Sequence, residues 1–188
     1  SQGIGAGLVA GYRKLGYAVV ANSRTIEASD DPMVLAVPGD VGLPGVGRHI
    51  VDAAVERFGR IDTVVNNAGI FIAKPFTDYT DDEYAAVTGV NLRGFFEVSR
   101  AAVSQMLEQG DGGHLVTIST TLAEHANSAV PSALASLTKG GLNAASRALA
   151  IEYATRGIRS NAVALGIIRT PMTAVMSPPS IATAMEIS

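Results

Sequence analysis

The sequence has no cysteine and no tryptophan, and aromatic residues reach only 5%. Without cysteine there are no disulfides and no thiolate metal ligands, so no metal site is expected and a reducing, cytoplasmic setting is. Charge is also sparse: Asp, Glu, Lys and Arg make up 16% of the chain, and the net charge is -3. No basic block suits a phosphate backbone, so nucleic acid is not an expected partner. No apolar run approaches the roughly 20 residues that a membrane-spanning helix needs, and no membrane partner is expected. The opening "SQGIG" has no methionine, no basic stretch and no apolar stretch, which fits neither a natural start nor a signal peptide.

What is present is 188 residues, 47% of them hydrophobic, enough for one domain with a proper core. Residues 1–188 are read as that single domain, with a weakly patterned tail at 174–188. Apolar spacing predicts helices over "GAGLVAGYRKLG", from Leu43 to Gly59, over one long stretch from Thr80 to Gly110, and over 132–156. Strands are predicted at 17–22, 33–37, 61–66, "HLVTIST" and 158–164. Strands alternating with crossover helices imply α/β architecture, a doubly wound, Rossmann-like parallel sheet with helices on both faces. Such sheets bind ligands at the carboxyl ends of their strands.

Four strand ends carry residues that suit a dinucleotide. At "SQGIGAG", Gly3, Ile4 and Gly5 open a helix whose bare backbone lets a pyrophosphate approach the N–H groups. Ser23 and Arg24 stand at the end of the next strand, 19 residues beyond Gly5 for the arginine. A basic residue there suits the 2′-phosphate of NADP, whereas an acid would hold the 2′-hydroxyl of NAD; the alternative is a solvated loop arginine. Asp40 and Val41 are placed to meet an adenine, or Asp40 caps the helix expected from Leu43. "VVNNAG" puts Asn67, Ala68 and Gly69 at an amide-rich turn, suited to tying strand ends together beneath a ribose, or to an Asx-turn that stops a strand.

Together with "VNLRG", "LVTIST", "TKGGL" and "GIRSNAVALGIIRTPM", these motifs resemble the short-chain dehydrogenase/reductase family, over residues 1 to about 173. The resemblance implies NAD(P)-dependent interconversion of an alcohol and a carbonyl, with a small molecule as substrate. It also implies a homo-oligomer, a dimer or tetramer, joined through the helices at 81–108 and 132–156. It places Asn91, Thr120 and Lys139 at the catalytic centre, with Lys139 also on the cofactor ribose, and Gly166, Ile168 and Thr170 against the cofactor. Asn91 lies on the apolar stripe of its helix, where a buried amide must find partners.

Three departures stand out. The family has a tyrosine four residues before the lysine, and this chain has Ala135, whose methyl transfers no proton. His125 is the nearby side chain that titrates near neutrality, as a replacement acid or as a surface loop residue. Leu165 also stands where the family prefers proline. Relative to the family, the chain reads as truncated at both ends, without the first strand and the last helix and strand. The missing strand would lie between those at 17–22 and 61–66, so a gap of about 9–10 Å is expected there. Titrating NADPH and NADH against the protein checks the reading of Arg24. Tighter binding of NADPH is expected, and equal affinities would remove the assignment.

Overall fold

In the computed structural model, which describes residues 2–168 and 170, parallel strands alternate with helices. The tail at 174–188 lies outside the described residues. The elements are α1 (Gly3–Lys14), β1 (Val19–Ser23), β2 (Val34–Pro38), α2 (Val46–Phe58), β3 (Thr63–Asn66), α3 (Asp81–Thr88), α4 (Phe95–Gln109), β4 (Gly113–Thr120), α5 (Ala133–Glu152) and β5 (Ile158–Leu165). Their ends obey local chemistry. Thr80 and Glu83 form a capping box on α3, and three acidic residues sit in its first turn. Gly59 and Gly110 close α2 and α4 with φ of 80° and 78°, a conformation that favours glycine.

Two helices differ from the sequence-based expectation. Helix α2 begins at Val46 rather than Leu43, because Asp40 holds the chain in a turn: its carboxylate accepts from Gly42 N–H at 2.9 Å and its carbonyl from Leu43 N–H. Asp40 therefore does not cap this helix, whose N-cap is Gly45. The long helix is broken by a π-helical turn over Gly89–Gly94. The cause is at hand. Asn91 is buried and bonded across to Ile70, and a Cβ at Gly94 would come within 3.0 Å of the Val41 side chain.

The strands form two parallel pieces, β1 with β2 and β3-β4-β5 in that order. No ladder joins β1 to β3, as the expected gap requires, yet Val19 and Val20 of β1 and Thr63, Val64 and Val65 of β3 line one cavity. The core lies on the larger piece, where Val51 and Ala54 of α2 meet Ala102, Val103 and Met106 of α4 over Leu115 and Ile158. Helix α1 buries none of its residues, since its apolar side faces the open slot. Strand β4 is paired on both edges and β1 on one. Hydrogen exchange in a demonstrated monomer is therefore expected to be faster in β1 than in β4. Equal protection would mean that the slot is closed in solution.

Candidate active site

Register places the site. Pairing of Thr120 with Leu165, and of Ser23 with Pro38, brings the carboxyl ends of neighbouring strands level. Leu165 is itself drawn into β5 opposite Thr120. A cavity of about 2150 Å³ opens along these ends and continues into the slot between β1 and β3. Gly3, Ile4, Gly5, Ser23, Arg24, Asp40, Val41, Asn67, Ala68, Gly69, Asn91, Thr120, Lys139, Gly166, Ile168 and Thr170 all line it. The structure thus brings every proposed site residue to one concavity.

At the α1 end, Gln2 supplies no side-chain cap and the first turn holds no acid, an arrangement that suits an anionic ligand. Arg24 is exposed on the turn after β1 and makes no ion pair among the described residues. Asn22 is a tie at this end of the cavity that the sequence pattern did not mark. Its Nδ2 donates to the carbonyls of Val37 at 2.8 Å and Gly39 at 3.1 Å, fixing the end of β1 to that of β2. It stands beside Ser23, but a lone Asn at a strand end carries no distinctive signal.

The "NNAG" turn works differently from the expected tie between strands. Asn66 Nδ2 donates to Ser99 Oγ on α4 at 3.0 Å, so this tie runs to a helix. Asn91 fixes the residue just beyond the turn. Its Oδ1 accepts from Ile70 N–H at 2.8 Å, and its Nδ2 donates to Ile70 O and to Thr138 Oγ1, both at 3.1 Å. Thr138 is fully buried on α5, one residue before Lys139. One amide therefore joins the turn after β3, the π-helical turn and the lysine helix.

Lys139 projects from α5 to the end of β4, where its Nζ donates to Ile118 O at 2.7 Å. Among the described residues no carboxylate pairs with it, and burial lowers its pKa to about 8. A Cβ at Gly69 would stand 3.2 Å from this Nζ and 3.5 Å from Asn91 Oδ1, so bare backbone leaves the ammonium approachable. Ala135 lies buried one turn earlier on the same face of α5. Thr120 Oγ1 accepts from Leu122 N–H at 3.2 Å, which leaves its own proton to donate. The neighbouring Ser119 is buried, and its Oγ has no hydrogen-bond partner among the described residues. Uncapped helix N–H groups, a glycine cradle and a polar floor at the strand ends fit a nicotinamide dinucleotide.

The sequence signature described as "Enoyl-(Acyl carrier protein) reductase" matches residues 1–186. An uncharacterized oxidoreductase of Methylorubrum extorquens is 36% identical over 183 residues, covering 92% of this chain and 72% of its own length. The crystal structure of a gluconate 5-dehydrogenase from Burkholderia cenocepacia, in complex with NADP and tartrate, superposes with a TM-score of 0.85 at 28% identity. That match covers 95% of this chain and 72% of the other. A 3-ketoacyl-(acyl-carrier-protein) reductase from Brucella melitensis, complexed with NADH, gives 0.85 at 28%, over 92% of this chain and 75% of the other. The chain spans 72% of the length of the Methylorubrum oxidoreductase and 52% of the length of the uncharacterized oxidoreductase YohF of Escherichia coli. Replacing Asn91 by Ala is expected to leave Ile70 N–H and C=O unpaired and to lower unfolding stability by about 1–3 kcal/mol. Urea denaturation measures this, and an unchanged midpoint would mean that the clamp carries no weight.

Proposed function

Because the chain belongs to the short-chain dehydrogenase/reductase family, we propose that it is an oxidoreductase for an alcohol/carbonyl pair of a small molecule, using NADP in preference to NAD. The observation that carries this reading is the convergence of the strand-end residues on one cavity, with Lys139 at its far wall. When bound, the nicotinamide supplies or accepts a hydride at the carbonyl carbon. The protein's own residues position and protonate. The first turn of α1, at Gly3 to Gly5, takes the pyrophosphate. Arg24 and Ser23 take the 2′-phosphate, and the absence of an ion pair at Arg24 among the described residues supports this. Asp40 and Val41 border the adenine, and Asn67 to Gly69 pass beneath a ribose. Gly166, Ile168 and Thr170 face the nicotinamide.

Lys139 reaches the ribose hydroxyls of the nicotinamide, and Thr120 donates a hydrogen bond to the substrate oxygen. Asn91 acts by holding the turn at Ile70 and the helix turn at Thr138 in place. We place the enzyme in the cytoplasm, as a homo-oligomer joined through α4 and α5; the exposed Phe96, Leu137 and Ile151 on those helices support such an interface.

Ala135 favours a second reading, a dinucleotide-binding sensor or scaffold without turnover. A panel of carbonyl compounds assayed with NADPH, following cofactor absorbance, separates the two. Turnover is expected, slower than in an Ala135→Tyr variant, because a phenol adds a proton donor beside Lys139. NADPH binding without turnover in either protein would establish the silent reading.

A further inference from the structure

Hydride transfer to a carbonyl leaves an oxygen that must receive a proton, and the residue types facing this cavity limit the source. Helix α5 packs against β4, β5, α3, the π-helical turn and the 3-10 turn at Thr121–Ala123. Among the described titratable side chains on those elements and the loop after Ala123, His125 alone lines the cavity with Lys139. His125 is exposed on that loop. Its loop is held to α5 by Ser136 Oγ, which donates to Leu122 O at 2.8 Å. Lys139, by contrast, stands half-buried at the strand ends, beside Gly69 and Ile118.

Long side chains on a helix lean toward its N-terminus and cover the preceding turn. For Lys139 that turn carries Ala135, a buried methyl that lines the same cavity. The ammonium has three donors, and one of them goes to Ile118 O. We propose that Lys139 itself is the proton donor and acceptor for the substrate oxygen, an inference that rests on the oxidoreductase reading above. In reduction, the N–H bond of the ammonium breaks as the O–H bond of the alcohol forms, and the neutral amine regains its proton from water. In oxidation the neutral amine takes the alcohol proton while the hydride leaves to the oxidised nicotinamide. Two observations make the amine fit this task. Among the described residues no carboxylate pairs with it, and burial brings its pKa to about 8.

The signs are set by the required protonation states. Reduction needs the ammonium, so its kcat/KM is expected to fall about tenfold per pH unit above about 8. Oxidation needs the free amine and is expected to rise about tenfold per pH unit up to about 8 and to level off above it. Lys139→Arg keeps the positive charge but titrates far higher. It is expected to retain NADPH binding within a few-fold, to lower kcat on the order of 100-fold and to abolish the limb near pH 8. His125→Gln is expected to leave that limb in place.

A second readout needs neither turnover nor a variant. Competitive labelling of lysine amines across a pH series, read by mass spectrometry, is expected to give Lys139 a midpoint near 8 rather than the ordinary 10.5. A limb that persists in Lys139→Arg, a limb lost in His125→Gln, or a labelling midpoint near 10.5 would each overturn the inference while leaving the oxidoreductase reading in place. NADPH binding with no turnover of any carbonyl would overturn both.

Discussion

One hydrogen bond organises this molecule's chemistry, that from the Lys139 ammonium to the carbonyl of Ile118. A strongly hydrated cation is costly to take from water, and here a single backbone oxygen meets it where a carboxylate would have been the stronger partner. The arrangement leaves the amine poised between its charged and neutral forms. It also ties α5 to the end of β4, so the position of the lysine depends on the sheet that carries Ile118. Everything else at the site concerns keeping those two elements, and the turn after β3, in register.

That task falls to buried amides and hydroxyls. Asn91 joins Ile70 to Thr138, Asn66 joins β3 to Ser99 on α4, and Asn22 joins the ends of β1 and β2. Ser146 Oγ adds a further link by donating to Thr117 Oγ1, deep between α5 and β4. Neutral groups of this kind fix geometry without imposing a field. Among the described residues, no ion pair is made with Lys139.

Much of the fold is legible in the sequence because its signals are local. Glycines at helix ends, β-branched strands and the Thr80–Glu83 capping box each act within a few residues. The break between β1 and β3 is legible too, through the resemblance, which leads to an expected gap between those two strands. Pattern and structure part where a distant contact outweighs the local signal. Apolar spacing runs a helix across Gly89–Gly94, where Asn91 reaches a loop 21 residues away and opens a π-helical turn. Asp40 has the place of a helix cap, whereas its carboxylate folds back on Gly42. The twin asparagines suggest a strand-to-strand tie, and the partner of Asn66 is a serine on a helix. None of these partners is visible from spacing alone.

Sequence also singles out the solitary lysine and the alanine one turn before it, but not what that pairing leaves open. The structure adds the glycine wall at Gly69 and the carbonyl partner at Ile118, and with them an approachable amine. The chemistry turns on where a dinucleotide lies relative to that amine. A crystal structure of the protein grown with NADP answers this directly. The pyrophosphate is predicted at the first turn of α1, the 2′-phosphate at Arg24 and the nicotinamide ribose within hydrogen-bonding distance of Lys139 Nζ. A nucleotide bound elsewhere, or lying in the cavity with its ribose away from Lys139, would contradict this mechanism.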